Sequence, residues 1–389
     1  MGKAKLPAEF PQFHERGDGA EVWDVNGASY IDLMCSWGPI VLGHRDPRVE
    51  SAVCRQLALG DTLNGPSPRI VELAEQLGGL TRHAWSMFMK NGTDATTVAV
   101  TVARAASGRD RVLVARGSYH GSAPWCTPNR TGVTAADREE VGYFEYNDID
   151  SVRRAVADAP RGVAAIMVTP FKHDAGFDQA MPSSEFVHGL QDLCASAGIA
   201  LILDEVRTGF RLARGGSWEA FGVVPDLSAW GKALGNGYPI AAVTGTDALR
   251  QAAESIFATG SYWYSAVPMA AAIATLDSLD ELRAVERMTA SGTRLRAGIA
   301  NIARTHNLTI SQTGPVQMPY LSFDGDDDGA IRERFSVAAL RAGVFLHPRH
   351  NWFLSAAHTS EVIDRVLDRL DDAFATVARD VSRSLAESR

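Results

Sequence analysis

The sequence predicts an α/β fold, a mostly parallel sheet sandwiched by helices, together with a smaller α+β domain. From about residue 46, short apolar runs at Arg111–Ala115, 164–169 and 200–203 alternate with helical stretches such as 68–80 and 95–106. Strands that alternate with helices are joined by crossovers and lie parallel, covered on both faces. The 389 residues are 46% hydrophobic and 22% charged, enough to fill a large core without staples. At about 150 residues per domain, that length leaves room for two or three domains.

Ahead of the alternating block, 21–33 reads as a β-hairpin. Its turn, Asn26-Gly27, supplies the positive φ angles that a tight hairpin demands. Beyond the block, helical periodicity dominates 268–305. A β-like stretch follows at 318–323, then the acidic turn Asp324-Gly325-Asp326-Asp327-Asp328-Gly329 and a last helix over about 360–386. A large domain is therefore expected over 46–275, and a small one from 1–45 and 276–389. There is no internal repeat and no low-complexity linker.

The net charge of −8 argues against nucleic acid or an anionic membrane as a partner, since both need a basic face. The N-terminal residues contain no apolar run of signal-peptide type, and Leu6 stands where a myristoylation motif wants Ser or Thr. No stretch reaches 18 apolar residues. Cys35, Cys54, Cys126 and Cys194 show no metal spacing and read as buried free thiols. A cytoplasmic protein is expected.

Four segments carry chemistry. In the first, three apolar residues run straight into Asp204-Glu205-Val206; a polar residue where a buried strand ends sits in the crevice that binds ligands. Metal ligation or helix capping explains that pattern equally well. In the second, Lys232 follows an apolar run and lies among Gly231, Gly235 and Gly237. Small neighbours admit a bulky planar group, and a desolvated lysine there is neutral and nucleophilic; a surface lysine in a glycine-rich loop is the bland alternative. The third, Lys90-Asn91-Gly92-Thr93-Asp94-Ala95, opens a helix whose free N–H groups can hold a phosphate, unless it is a plain helix start with Thr93 or Asp94 as cap. The fourth, Tyr119-His120-Gly121, puts an aromatic on a loop after a strand, where it can stack on a ring or simply pack. A phosphate cradle, a flat aromatic, a buried carboxylate and a desolvated lysine are together what pyridoxal phosphate (PLP) needs.

With these motifs in order, the chain resembles the class III (subgroup II) aminotransferases of PLP fold type I, nearest the branch that includes glutamate-1-semialdehyde aminomutase. Trp23-Asp24-Val25-Asn26-Gly27, Ser36-Trp37-Gly38-Pro39, Leu42-Gly43-His44 and Ala356-Ala357-His358-Thr359 extend the match over nearly the whole chain. The resemblance implies that Lys232 is the internal aldimine lysine and proton shuttle. It implies that Asp204 pairs with the pyridine nitrogen, that Val206 and Tyr119 pack on opposite ring faces, and that Gly92 and Thr93 bind phosphate. Trp37 matches a position near the substrate. It further implies a homodimer with shared active sites, in which 259–268 of the neighbour completes the phosphate cup. That segment lacks the family's Gly-Thr and Asn-Pro, which leaves Ser261 as the substitute.

Other departures concern the substrate. Thr169 replaces the family's usual Glu, with His173 and Asp174 or a solvated loop in its place. The segment 346–355 lacks the mutase's acidic residue and leaves Arg349 to grip a carboxylate or phosphate, or to lie free on the surface. Tyr262 and its aromatic neighbours suggest a substrate with an apolar or sugar-like face, or else core packing. The expected activity is transfer of an amino group from a small-molecule donor, glutamate by default, to a keto or aldehyde acceptor by ping-pong chemistry. An aminomutase, racemase or epimerase of the same fold is the alternative, and a PLP-binding homologue without turnover is a further one. A nicotinamide dehydrogenase lacks its GxGxxG.

Overall fold

The computed structural model describes residues 6–387. They form two compact units. One takes in the chain up to Pro47, His173–Ala180 and the chain from Ser278 onward; the other comprises Arg48–Lys172 and Met181–Asp277. The stretch His173–Ala180 interrupts the range expected for the large domain.

The first unit opens with β1 (His14–Asp18), β2 (Glu21–Asp24) and β3 (Ser29–Asp32), each antiparallel to the next. The β2–β3 turn differs from the expected one. Only Gly27, at φ 85°, is left-handed, and the Asp24 carboxylate accepts the N–H groups of Asn26 (2.9 Å) and Ala28 (3.0 Å). A side chain thus does what a second positive φ would have done.

The second unit is built on seven strands. They are β4 (Trp85–Met89), β5 (Arg111–Ala115), β6 (Val141–Phe144), β7 (Val163–Val168), β8 (Ala200–Asp204), β9 (Leu227–Trp230) and β10 (Ala241–Gly245), in the order β4-β10-β9-β8-β7-β5-β6. Only β10 runs against its neighbours. The apolar residues alternate between two cores. Val112, Val114, Met167 and Ile202 face one way with the helix Gly92–Ser107, and Leu113, Ala115, Ile166 and Leu203 face the other with the helix Ser184–Ala197. Burial on both faces is why these strands read as unbroken apolar runs. Because every strand but β10 points the same way, β4, β5, β8 and β9 end at one edge, where ligands of open α/β sheets bind.

The chain then returns to the first unit. The helical stretch predicted over 268–305 is two helices, Ala266–Glu281 and Ala284–Thr305, broken at Arg283 with φ 48°. A separate hairpin pairs β11 (Ile310–Thr313) with β12 (Tyr320–Phe323), and β13 (Val344–Phe345) adds parallel to β3. The last helix, Ser360–Glu387, buries Ile363, Val366, Leu370, Phe374 and Val377 at helical spacing. Phe374 meets Phe335 and Phe323 with ring centroids 4.8 and 5.9 Å apart.

Candidate active site

Four strand ends of the second unit build the site. Asp204 closes β8 and is buried at 4% exposure. Its Oδ1 accepts the Val206 N–H at 3.1 Å, and its Oδ2 lies 2.7 Å from His120 Nδ1. A buried carboxylate must be paired, and His120, itself 3% exposed, is the pairing group. In the sequence His120 stands out only as part of Tyr119-His120-Gly121. A histidine beside an aromatic on a loop gives no sign of a carboxylate 84 residues away.

The neighbouring carboxylate has a different task. Glu205 is fully buried and takes hydrogen bonds from the Ser217 N–H, the Ser217 hydroxyl and the Thr208 hydroxyl, each at 2.5 Å. Burial pushes its carboxyl up to about 7 against those donors. Glu205 therefore ties the loop after β8 to Ser217, while Asp204 and His120 form the buried pair.

Lys232 follows β9 and Gly231 with a left-handed φ of 44°. Burial pulls its ammonium down to about 7; the guanidinium groups of Arg207 and Arg211 push the same way, and Asp204 opposes them. A lysine with that value is substantially a neutral amine near pH 7, fit for nucleophilic and base chemistry.

Gly92 has a specific reason, and Gly231 lies close beside it. A Cβ on Gly92 would lie 2.5 Å from Val206 Cγ1, and one on Gly231 would lie 3.4 Å from it and 3.9 Å from the Gly92 Cα. Val206 is thus wedged against Gly92 and Gly231, which brings the ends of β4, β8 and β9 together. Gly92 begins the helix Gly92–Ser107, capped by Asn91, whose Oδ1 accepts the Asp94 N–H at 3.0 Å. The cap is neither Thr93 nor Asp94. The first-turn N–H groups of such a helix lack intrahelical acceptors and favour an anion. Thr93 Oγ1 accepts the Ser122 N–H at 3.1 Å, and a Cβ on Gly121 would come within 2.7 Å of that oxygen. Gly121 and Ser122 thereby hold the Thr93 hydroxyl in place.

Tyr119, on the same loop, keeps 46% of its surface exposed, an aromatic face free for a ring. Ser261 and Tyr262 lie in an exposed loop, Tyr262 at 67%. Thr169 is buried, and its hydroxyl donates to the Phe171 carbonyl at 2.9 Å. In the first unit, Trp37 packs its ring 5.1 Å from that of His347. Arg349 is exposed there, with its guanidinium beside Gly329.

A lowered amine, a buried carboxylate–imidazole pair, a glycine-opened helix start and an exposed aromatic form a set that fits pyridoxal phosphate. The model of the family described as "Aminotransferase class-III" matches residues 4–375. The chain belongs to the class III aminotransferases. Its cofactor is pyridoxal 5′-phosphate, as for the family. Among class III relatives it is 48% identical to the aminopentol aminotransferase of Sphingopyxis macrogoltabida over 96% of this chain and 89% of that one. It is 35% identical to the glutamate-1-semialdehyde 2,1-aminomutase of Gemmatimonas aurantiaca over 94% and 90%. Among solved structures, the PLP internal aldimine form of the Sphingopyxis sp. MTA144 FumI protein superposes with a TM-score of 0.96 at 46% identity, over 98% of this chain and 93% of that one. The expected α/β fold of PLP fold type I holds. As a class III aminotransferase the chain acts on a small-molecule amino donor and a carbonyl acceptor. Among the described residues no helix is long and apolar enough to cross a membrane.

Proposed function

We propose that the enzyme moves an amino group between a hydroxyl-bearing amine and a keto acid, with Lys232 and Asp204 at the reacting centre. The observation that carries the site is the lowered Lys232 amine, in the field of Asp204, within a cluster assembled from four strand ends. The 48% identical relative, an aminopentol aminotransferase, supports an amine of this class. A keto acid with glutamate as its amino form is the counterpart the family resemblance suggests, and Arg349 is the side chain we assign to its carboxylate.

Bound there, PLP supplies an electrophilic aldehyde and a ring that accepts electrons from the carbon losing its proton. Lys232 Nζ would bind the aldehyde carbon and, as a neutral amine, would carry the proton lost by the substrate's carbon. The carboxylate of Asp204, kept in place by His120 and the Val206 N–H, would pair with the pyridine nitrogen and favour its protonated form. The Gly92 and Thr93 N–H groups and the Thr93 hydroxyl would hold the phosphate, and Val206 and Tyr119 would pack on the ring.

We further assign a homodimer. Leu57, Leu59, Leu63, Phe257, Tyr262 and Tyr264 are large apolar or aromatic side chains left exposed on the second unit. The two stretches that carry them are tied together, since the Asp61 carbonyl accepts the Ala266 N–H at 3.0 Å. A second copy is the occupant that would cover them and bring Ser261 and Tyr262 to the neighbouring site. Sedimentation of the wild type and of Leu59→Asp tests this: a monomeric wild type, or an undisturbed dimer in the variant, removes the assignment. The free thiols, of which Cys35, Cys126 and Cys194 are buried as expected and Cys54 is exposed, suit the reducing cytoplasm.

The activity is tested by incubating the PLP-loaded enzyme with hydroxylated amines and with glutamate. Carbonyl product should form in step with amine consumed and transfer to an added keto acid. Rearranged amine without release of carbonyl product would make the enzyme an isomerase instead.

A further inference from the structure

The face of β9 and β10 turned away from the helix Gly92–Ser107 carries a polar relay outside the four strand ends. Leu227, Ala229, Ala241 and Val243 pack in the core with that helix. By strand alternation Ser228, Trp230, Ala242 and Thr244 point the other way. Ala242 lies opposite Trp230 and Thr244 opposite Ser228, which makes Trp230 and Thr244 diagonal neighbours. Both are fully buried. A buried indole N–H needs an acceptor, and Trp230 Nε1 donates to Thr244 Oγ1 at 2.8 Å. That oxygen also lies 2.6 Å from Nδ1 of His83, whose Nε2 lies 2.9 Å from the Pro225 carbonyl oxygen.

Every proton of the relay has one place. The Pro225 carbonyl can only accept, so His83 carries its proton on Nε2. Burial pulls the imidazole below the ordinary histidine range, against the Pro225 carbonyl and Asp226. The ring is therefore neutral at pH 7, and its bare Nδ1 accepts the Thr244 hydroxyl proton. Thr244 is the joint, accepting from the indole and donating to the imidazole.

The indole held in this way supports the turn after β8. A Cβ on Gly209 would lie 2.7 Å from Trp230 Cε3 and 2.9 Å from the Glu205 carbonyl oxygen. Phe210, left-handed at φ 62°, has its ring centroid 4.9 Å from that of the indole. Arg207 and Arg211 belong to the same turn, on either side of Gly209-Phe210. Lys232 stands two residues beyond Trp230, and besides burial its charge answers to these two arginines and to Asp204.

We propose that Thr244 and His83 are positioning residues for Lys232: by locking the Trp230 indole against Gly209 and Phe210, they hold the turn bearing Arg207 and Arg211 in place against the strand end that carries the lysine. They act through Trp230 and not on the substrate. The catalytic meaning of this rests on the reading of Lys232 as the lysine that binds PLP.

The test follows the Lys232 amine of the apoenzyme by trace acetylation with acetic anhydride over a pH series, read as label on the peptide containing position 232. The wild-type midpoint should lie at about 7. Thr244→Val keeps nearly the same shape but leaves the indole N–H without its acceptor. The turn then loosens, the two cations recede and water reaches the amine. The midpoint should rise by about one pH unit, the tenfold change that one lost buried hydrogen bond can transmit. Thr244→Ser keeps the hydroxyl and should return the midpoint to the wild-type value. A residue that serves stability alone would lower the melting temperature of Thr244→Val and leave the midpoint unmoved, and that outcome overturns the proposal. So does a midpoint in Thr244→Ser as high as in Thr244→Val, or a wild-type midpoint in the range of a free lysine. Should Thr244→Val not fold, Trp230→Phe removes the indole N–H instead: the same rise upholds the relay, and no rise rejects it. Borohydride with PLP, applied to the wild type, is a separate arm. Absence of label at 232 removes the reading of Lys232 as the PLP lysine, while the anhydride midpoints still decide the positioning role.

Discussion

Replacing His120 by leucine removes the partner of a carboxylate that is 4% exposed and 2.7 Å from the imidazole. Leucine fills much of the same space without a donor, so Asp204 keeps only the Val206 N–H at 3.1 Å. A hydrogen bond to a charged group contributes about 1.5–3 kcal/mol. If that orientation is what the reaction uses, kcat/KM falls roughly ten- to a hundredfold, at 1.36 kcal/mol per decade. Asparagine places an amide N–H close to the position of Nδ1, so His120→Asn should recover a good part of the loss. The assay is steady-state transamination by variants whose melting curves show an intact fold. A His120→Leu enzyme as active as the wild type would refute the positioning role, as would an asparagine variant no better than the leucine one.

Other outcomes follow from the same geometry. Lys232→Ala should lose turnover and fail to retain label after borohydride treatment with PLP, read by mass spectrometry of the peptide containing position 232. Asp204→Asn should keep the cofactor but lose most activity, measured by absorbance and rate on one sample. Gly92→Ala forces a methyl to 2.5 Å from Val206 Cγ1; overpacking of this kind costs about 1–3 kcal/mol, and Val206→Ala in the same chain should relieve it in a urea titration. Lys232 needs a neutral amine, so reactivity of the apoenzyme amine toward added PLP should fall as pH drops through about 7. Removing the neighbouring cation in Arg207→Leu favours the protonated amine and should move that fall to higher pH; a shift to lower pH would contradict the assigned field.

The sequence by itself determined the elements and the cofactor class. Strands buried on both faces carry unbroken apolar runs, so β5, β7 and β8 stood out within a residue or so, and the motif order around Asn91-Gly92-Thr93, Asp204 and Gly231-Lys232 named pyridoxal phosphate. These signals are local: burial writes itself into hydrophobicity, and a tight backbone approach writes itself into glycine. The strands β1, β11 and β13 left no such trace, because β1 and β11 are largely polar and β13 is two residues long. Only the tertiary structure decided which of two adjacent carboxylates is paired with His120, why Gly92 must be bare beneath Val206, and that Asn91 caps the helix. The first two are meetings of residues far apart in the chain, set by the direction of the strands rather than by any spacing a linear reading can see, while the cap is a local choice among Asn91, Thr93 and Asp94 made by the backbone geometry.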